Sequence, residues 1–334
     1  MIKTFLLINL FTYHFISKYA MPESEFGYIN WLQKHLKYNS DVLVGSGDDC
    51  AAVKLPDGNL LYATTDTIVG GIDFIVPSKK RGAGVYYATP EQIGYKSIAI
   101  SLSDLAAMGG GFTKIYALIS ASLPKKFTKP SFTHPLFKGM YSICKRFGVQ
   151  IIGGDLSATK GPITITSTLL GISKSKPVTR SDARDGDAIL VTGKLGGSIL
   201  GKHLSFTPRL KESTLLSRHY KINAMIDISD GLVADLNHIL ESSKLGAVLD
   251  ELSIPISRDA YKLKGKPMRH ALIDGEDFEL LFTAPLKEAV KIIHDRALKT
   301  PVSIIGMVNN RKGIYLISRQ GEVNRIKPEG YSHF

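Results

Sequence analysis

The sequence predicts an α+β protein with two domains. With 334 residues, the chain is long enough to build two domains of ordinary size, each around its own core. Apolar residues make up 44% of the chain and charged residues 22%, a balance typical of compact folded proteins and unlike that of disordered ones. Strand-like and helix-like segments are mixed without a regular β-α-β-α alternation, which favours α+β domains over a doubly wound sheet.

The chain is basic and poor in cysteine. Its 42 Lys and Arg residues against 30 Asp and Glu give a formal net charge of +12, which suits nucleic acid, anionic lipid or phosphorylated small molecules as partners. The densest basic runs, 79–81 and 125–126, are short and typical of solvated loops, so we expect neither nucleic acid nor a membrane as a partner. Cys50 and Cys144 form neither a disulfide framework nor a CxxC metal motif, so a reducing, cytoplasmic location is predicted.

Residues 1–20 form an extension that we expect to lie outside the fold. A lysine followed by mainly apolar residues resembles a weak signal peptide, but Asn9, Thr12 and His14 interrupt the run. The run is also short for a bilayer span, and Met21 opens a polar stretch, so an upstream start codon chosen in error is favoured over a targeting segment. No later segment has the length and hydrophobicity of a membrane span.

Residues 21–173 are predicted to form the N-terminal domain. Its first element is a short amphipathic helix over 22–38. An apolar strand from Asp41 runs into a Gly-rich bend, and a second strand over 60–66 ends in two threonines and a carboxylate, so both are predicted to present oxygen ligands at their ends. A helix over 90–108 opens with Pro and Glu and is stopped by three glycines.

The rest of this domain alternates strand and helix. The pattern predicts a strand over 114–123, a helix over 136–147, a strand over 150–155 ending in a Gly-Gly-Asp bend, and a half-buried strand over 163–170. At 174–187 the composition shifts to Lys, Ser, Pro, Arg and Asp, which predicts a domain linker.

The C-terminal domain, 188–334, restarts with a strand over 188–193. Residues 224–231 predict another strand, followed by a helix from 232 to about 243. Ser229 and Asp230 lie where the N-cap of that helix belongs, so exposed backbone N–H groups there would suit an anion. Segment 271–282 places Glu276 and Asp277 on a turn before a buried strand.

Seven aspartates share a setting at the ends or bends of short apolar or Gly-rich segments: Asp49, Asp66, Asp104, Asp155, Asp227, Asp230 and Asp277. Each alone is typical of a turn, but Asp104 lies within an apolar helix and Asp227 between two isoleucines of a strand, where an unpaired carboxylate is costly. Two like charges about 4 Å apart repel by roughly 4 kcal/mol at an effective dielectric of 20, so gathered carboxylates need cations. Hard cations that share phosphate oxygens suit such a site, which predicts Mg²⁺ with a polyphosphate.

Familiar nucleotide-binding motifs are absent from the chain. The segment 192–194 ends like a P-loop but lacks its glycine spacing, and 45–47 begins like a dinucleotide fingerprint but lacks the third glycine. There is no HExxH motif, no kinase HRD or DFG motif, and no ligand spacing among the nine histidines. A nucleotide site in this chain must therefore be built by another route.

Six segments, taken in order, closely resemble the thiamine-monophosphate kinase family: GSGDDCAAV (45–53), TTDT (64–67), GYKSIAISLSDLAAMG (94–109), IGGD (152–155), DISDGLVADL (227–236) and DGEDFELLF (274–282). The resemblance runs from about residue 23 to the C-terminus. That family is grouped with aminoimidazole ribonucleotide synthetase and selenophosphate synthetase, so the resemblance implies two α+β domains of that type. It also implies a homodimer in which the N-terminal domains pair their sheets.

The resemblance implies transfer of the γ-phosphoryl group of ATP to thiamine monophosphate, which gives thiamine diphosphate and ADP. By similarity, several Mg²⁺ ions would be held by Asp49, Thr64, Thr65, Asp66, Asp104, Asp155, Asp227 and Asp230. The positions that match ATP contacts are Gly154, Asp155, Arg180 and Ser229, and Glu276 matches a contact to the thiamine end. The acceptor phosphate is already ionised at neutral pH, so no general base is expected.

Two positions depart from the family pattern. Asp73 stands where the family usually carries a histidine that contacts the acceptor, and Pro328 stands where an aromatic residue normally packs on it. Neither change touches the metal set. We therefore expect acceptor affinity, more than the chemistry, to differ from the family norm.

Two other functions remain open from the sequence alone. Another ATP-using member of the same superfamily, such as a ribonucleotide synthetase, would share the fold and the metals but form a different product. A nucleotide-binding or nucleic-acid-binding protein without turnover would suit the basic composition, although the positive charge is dispersed and shows no interleaved aromatic residues.

Overall fold

The computed structural model describes residues 25–77 and 86–331. These residues fall into two compact units, one that includes residues 25–39 and one that spans 40–331. In the first unit, helix α1 (Glu25–His35) ends before the predicted boundary at residue 38. The expected extension, residues 1–20, lies outside the described residues.

Six strands form the N-terminal sheet in the order β1-β2-β3-β6-β4-β5. Their bounds are Val42–Val44 (β1), Ala51–Lys54 (β2), Leu60–Val69 (β3), Lys114–Pro124 (β4), Val149–Thr159 (β5) and Thr164–Ser173 (β6). Neighbouring strands are antiparallel except β4 and β5, which are parallel. Along β6, buried and half-buried residues alternate, which confirms the predicted half-buried strand and is typical of a sheet with one covered face.

Helices α2 (Pro90–Ala107) and α3 (Pro130–Phe147) pack against this sheet. Thr89 caps α2 in a capping box with Gln92, and Pro90 occupies the first turn, as the sequence predicts. The two helices approach closely because each carries a glycine at the crossing. A methyl group on Gly94 would overlap the Leu136 carbonyl of α3.

Seven strands form the C-terminal sheet in the order β13-β12-β9-β11-β7-β10-β8. The strands are Asp187–Thr192 (β7), Ala224–Asp227 (β8), Gly246–Asp250 (β9), Leu280–Pro285 (β10), Val302–Asn309 (β11), Gly313–Ile317 (β12) and Val323–Ile326 (β13). The helices of this half are Leu210–His219 (α4), Leu232–Ser243 (α5), Pro267–Ile273 (α6) and Leu286–Asp295 (α7). Two mixed sheets with helices packed on them confirm the predicted α+β class. Among the described helices, none combines the length and apolar character needed to cross a bilayer.

Helix α2 belongs to both hydrophobic cores. Ile98 and Leu102 pack in the core of the N-terminal sheet, whereas Ala106 packs with Leu190 and Met225 of the C-terminal strands. The hydroxyl of Ser213 on α4 donates a hydrogen bond to the Ala106 carbonyl. This double burial brings the C-terminal half of α2 beside β8, and it is the feature of the fold that positions the site.

Two predicted boundaries in the N-terminal domain are wrong. The helix predicted to begin at residue 136 begins at Pro130 and contains Pro135, so that proline does not start it. The strand predicted to bend at 153–155 continues to Thr159, because β4 pairs with it along its length and a register irregularity at Ala117/Leu118 absorbs the extra residue.

Two predicted ends are also wrong. Strand β3 does not end at Asp66 but continues to Val69, since β6 pairs with all ten of its residues. The N-cap of α5 is Gly231, with φ of 122°, and not Ser229 or Asp230. The backbone N–H groups of Asp230 and Gly231 both donate to the carboxylate of Asp235, each at 3.1 Å.

Replacing Gly94 by alanine tests the helix crossing. Alanine normally stabilises a helix interior by about 1 kcal/mol relative to glycine, but here the added methyl overlaps the α3 backbone, and overpacking costs roughly 1 to 3 kcal/mol. We expect Gly94→Ala to lower the thermal midpoint measured by circular dichroism. Gly161→Ala is the control, because its added methyl would meet only Thr159 Oγ1 at 3.4 Å. An unchanged or raised midpoint for Gly94→Ala would contradict the close crossing.

Candidate active site

Three carboxylates from distant segments meet between the two sheets and form what we call the carboxylate cluster: Asp49, Asp104 and Asp227. Asp49 lies in the bend between β1 and β2, Asp104 near the C-terminal end of α2, and Asp227 at the end of β8. One carboxylate oxygen of each lies within 4.8 Å of one oxygen of the others. The predicted convergence of these three aspartates is therefore present in the fold.

Hydroxyl groups orient the carboxylates around the cluster. Thr64 Oγ1 of β3 donates to Asp104 Oδ2 at 2.5 Å, and Ser103 Oγ donates to Asp227 Oδ2 at 2.6 Å. Asp66 accepts from Ser101 Oγ at 2.7 Å and hydrogen-bonds with the Asp104 carboxyl group. The Ser-Leu-Ser-Asp sequence of α2 thus supplies the carboxylate of Asp104 and the hydroxyl donors for Asp66 and Asp227.

The cluster is short of positive charge. Burial, and then the charges of Asp66, Asp227 and Asp49, raise the pKa of Asp104 well above its ordinary value. Burial, followed by the charge of Asp49, raises the pKa of Asp227 to about 8. Among the described residues, the cation seated directly on the cluster is Arg180, whose Nη2 and Nε donate to Asp49 at 2.6 and 3.3 Å. One guanidinium does not balance this group of acids.

The donor set fits a hard divalent cation. All ligand atoms that the cluster offers are oxygens, and ions such as Mg²⁺ prefer carboxylate oxygens together with water and phosphate oxygens. A cation between the carboxylates would also favour the ionised forms that burial and repulsion oppose. Asp49, Asp104 and Asp227 are the residues best placed to hold it, with Asp66 and Thr64 beside them.

A second acidic group lies at the start of α5. One ligand atom from each of Asp230, Asp235 and His238 lies within 4.8 Å of the others. Asp235 is 1% exposed, and burial, followed by the charges of Asp230 and Asp227, raises its pKa well above the ordinary value. Asp230, predicted as a metal ligand, is thus grouped with residues that the sequence analysis did not single out.

Glu276 lies at the edge of a separate cavity of about 340 Å³, lined by Ile199, Leu263, His270, Asp274, Gly275 and Glu276. Its carboxylate pairs with Lys96 of α2, a lysine with no exposed side-chain surface. Lys96 Nζ also donates to the backbone carbonyl of Asp73 at 2.8 Å. Two of the three positions expected to contact the acceptor, Asp73 and Glu276, therefore share one buried ammonium group.

The loop that carries Glu276 is held in an uncommon backbone conformation. Glu276 and Phe278 have φ of 54° and 48°, a region that residues other than glycine rarely adopt. Backbone hydrogen bonds tie the loop to the end of β8, from Glu276 N to the Ser229 carbonyl at 2.7 Å and from Phe278 N to the Ile228 carbonyl at 2.8 Å. The loop that carries Glu276 is therefore held directly against the end of β8.

Several predicted site residues lie outside the carboxylate cluster. Asp155 and Gly154 lie on the exposed edge strand β5, which is three strands from β3, a separation of roughly 14 Å at the usual strand spacing. Gly154 is required locally, because any Cβ there would overlap the Ile119 carbonyl. Thr65 is exposed and hydrogen-bonds with Thr168, at 3.0 Å between the hydroxyl oxygens.

The remaining predicted residues have these surroundings. The backbone carbonyl of Ser229 accepts the hydrogen bond from Glu276 N described above. The side chain of Asp73 accepts a hydrogen bond from Val69 N at 2.6 Å. Pro328 lines a cavity between α5 and the β12–β13 edge. Asp277 accepts hydrogen bonds from Gly196 N at 2.8 Å and Ser198 Oγ at 2.5 Å, so it ties its loop to the segment that follows β7.

Sequence analysis missed Asp48, Lys96, Asp235 and His238. A signal was available for Lys96, because a lysine within the apolar interior of a predicted helix raises the same difficulty as Asp104. Asp48 accepts a hydrogen bond from the Arg180 backbone at 3.1 Å, a contact across 132 positions of the chain that no local pattern encodes.

Comparisons with known proteins confirm the predicted family. Residues 47–173 match the family model of the AIR synthase related protein N-terminal domain, and residues 171–319 match that of the C-terminal domain. The thiamine-monophosphate kinase of Rhodopirellula baltica is 36% identical over 320 residues, which cover 92% of this chain and 97% of the relative. The thiamine-monophosphate kinase of Bacillus subtilis is 32% identical and is covered to 99%, with 93% of this chain aligned.

Solved structures show the same similarity. The structure described as AaThiL complexed with AMPPCP and TMP superimposes with a TM-score of 0.77 at 29% identity, covering 93% of this chain and 97% of that one. Hydrogenase maturation protein HypE, in complex with ATP, is 17% identical at a TM-score of 0.65 and shares the fold. Given the identity and coverage of its curated relatives, the chain belongs to the thiamine-monophosphate kinase family.

Proposed function

We propose that the protein transfers the terminal phosphoryl group of ATP to thiamine monophosphate and releases thiamine diphosphate and ADP. The observation that carries the proposal is the convergence of Asp49, Asp104 and Asp227 within 4.8 Å of one another, in a member of a family of kinases for this acceptor. A structural neighbour adds support, since AaThiL was solved in complex with AMPPCP and TMP.

The chain's residues act by positioning charge. Bound Mg²⁺ would neutralise the phosphate oxygens and align donor with acceptor, which is the main requirement of phosphoryl transfer. Asp49, Asp104 and Asp227 would hold it, while Thr64, Ser101 and Ser103 keep the carboxylates and Asp66 in place. The acceptor phosphate is ionised at neutral pH, so none of these residues has to take its proton.

Arg180 is the proposed phosphate contact of this chain. Its guanidinium is planar and suits a bidentate grip on carboxylate or phosphate oxygens. In the structure it grips Asp49, so it lies at the boundary of the carboxylate cluster, with its side chain 21% exposed. From there its guanidinium would either leave Asp49 for a phosphate of ATP or pair with both anions. The roles of Gly154, Asp155 and Ser229 toward ATP stay predictions.

Glu276 is proposed to hold the thiamine end of the acceptor. The cavity beside it offers space, and its carboxylate is 29% exposed while paired with Lys96. Burial raises the pKa of Glu276 and the charge of Lys96 opposes that rise, so the ammonium helps to keep Glu276 ionised for a cationic ring. Pro328 lies outside this cavity's lining, and its contact to the acceptor stays a prediction.

A homodimer is proposed through the exposed face of the N-terminal sheet. Leu118 of β4 and Ile152 of β5 lie on this face and are 39% and 56% exposed, an uncommon amount of apolar surface on neighbouring strands. Sheet-to-sheet pairing would bury them, and it would give the exposed residues Gly154 and Asp155 a partner surface. A cytoplasmic location also remains a proposal, resting on the two free cysteines.

Purified protein supplied with ATP, Mg²⁺ and thiamine monophosphate is expected to produce thiamine diphosphate and ADP in equal amounts. Chromatographic separation of the thiamine phosphates measures this directly. Chelation of divalent cations by EDTA should abolish turnover, and added Mg²⁺ should restore it, because the acids of the cluster repel a polyphosphate without cations. ADP formation without thiamine diphosphate would point to another acceptor and overturn the proposal.

Asp104→Asn separates catalysis from folding in the same assay. Its amide keeps an oxygen for the Thr64 hydroxyl but removes one charge, so we expect kcat to fall by about a hundredfold or more. The metal-free variant should melt no lower than the wild type, because a buried and repelled carboxylate has been removed. Asp41→Asn, at an exposed site, is the matched control. Full activity in Asp104→Asn would exclude the cluster as the metal site.

Asp73→His tests the acceptor end. We expect it to lower KM for thiamine monophosphate by a few-fold to about tenfold and to leave KM for ATP unchanged, because histidine can contact the ligand and removes a carboxylate beside Glu276. Asp73→Asn is the control, since its amide oxygen can still accept the Val69 N–H. An unchanged KM for thiamine monophosphate in Asp73→His would contradict a role for residue 73.

The dimer proposal is tested by Ile152→Glu in sedimentation velocity. A carboxylate in the paired face should convert the dimer into monomer. The control is Leu252→Glu, because Leu252 is 67% exposed but lies in the C-terminal domain. A wild-type monomer, or equal behaviour of the two variants, would rule out this interface.

A further inference from the structure

A second cavity, which we call the basic cavity, lies between the C-terminal half of α5 and the edge formed by β12 and β13. Its volume is about 710 Å³, within the range of small-molecule sites. Its floor is apolar, with Leu240, Ile314 and Ile326, and its polar lining is dominated by cations. An apolar floor with a few polar groups is the usual composition of a ligand site.

Four cationic side chains line this cavity: Lys244, Lys312, Arg325 and Lys327. The one carboxylate in the lining is Glu241, so the cavity carries an excess of three positive charges. Within the described part of the chain, none of the four cations has a side-chain hydrogen bond or ion pair. The cations of the protein interior behave differently, since Lys96, Arg180 and Arg209 are each paired with a carboxylate.

Backbone features shape the basic cavity. Gly313 has φ of 102°, and a Cβ there would lie 3.0 Å from Nε of Arg325, so the guanidinium packs over the bare glycine backbone. Lys244 ends α5 with φ of 59°, a conformation usually left to glycine. Asn237 lies on the same face of α5 as Leu240 and Lys244 and adds an amide without a hydrogen-bond partner among the described residues.

The basic cavity is separate from the carboxylate cluster. Asp227 is on β8 at one edge of the C-terminal sheet, whereas β12 and β13 form the other edge. Five strand spacings separate β8 from β12, roughly 24 Å. Helix α5 spans the same gap, with Asp230 and Asp235 at its start and Lys244 at its end.

We propose that the basic cavity binds a small molecule that carries a diphosphate or longer polyphosphate on an apolar or aromatic ring. Phosphate oxygens would pair with Arg325 and the lysines, and the ring would lie on the apolar floor. A bounded cavity on one side of the sheet suits a small molecule better than a nucleic-acid strand, which needs an extended basic track. This site goes beyond the proposed phosphoryl transfer and does not depend on it.

Calorimetric titration in EDTA tests the proposal with pyrophosphate, ADP and thiamine diphosphate as separate probes. Without divalent cations the carboxylate cluster repels all three, and binding is assigned to the basic cavity by its loss in a variant of that cavity. We expect binding of at least one of the three, weakened by about tenfold or more in the double variant Arg325→Gln/Lys312→Gln. Arg218→Gln/Lys287→Gln is the control, because it removes the same charge from exposed positions on α4 and α7.

The outcomes are distinct. Preferred binding of ADP identifies a nucleotide as the ligand class, preferred binding of thiamine diphosphate identifies the proposed product, and either supports the site if the control variant binds normally. Absence of binding by all three probes overturns the proposal. Equal weakening in both double variants also overturns it, because the effect would then be one of net charge. Binding of a random-sequence oligonucleotide in place of the small diphosphates would assign this surface to nucleic acid.

Discussion

Repulsion among buried carboxylates is the constraint on which this structure depends. Asp49, Asp104 and Asp227 are gathered closely enough that their ionised forms are unfavourable without a cation, and burial makes the cost larger. Hydrogen bonds from hydroxyl groups and from Arg180 offset part of that unfavourable free energy. The remaining cost would be offset by a bound cation, which agrees with the Mg²⁺ and polyphosphate proposed as ligands of the cluster.

Keeping these repelling carboxylates together requires a backbone that cannot move to separate them. Helix α2 provides it, because it is buried by the core of the N-terminal sheet on one side and by the C-terminal strands on the other. Its glycine lets α3 approach closely, and its Lys96 reaches the loop that carries Glu276. A single helix therefore carries residues of both the proposed metal site and the proposed acceptor site. Small shifts of α2 would change both together.

The distribution of charge separates two kinds of surface. The chain as a whole is strongly basic, yet the carboxylate cluster is acidic. The cavity beside Glu276 contains a carboxylate paired with a buried lysine. The positive excess is found elsewhere, and part of it lines the basic cavity at the far edge of the C-terminal sheet. Both arrangements suit phosphorylated ligands, one through metal ions and the other through direct pairing.

The sequence by itself determined the α+β class, the strong helix predicted over 90–108, the half-buried strand β6 and a set of candidate aspartates that includes the three of the cluster. These follow from local information: capping residues, alternation of apolar residues and acids placed in apolar surroundings. Only the tertiary structure decided that Asp155 lies on an exposed edge strand away from the cluster, that β5 continues through its Gly-Gly-Asp segment, and that Lys96 pairs with Glu276. Strand register and contacts between residues far apart in the chain depend on which surfaces pack together, and no local pattern of residues records that choice.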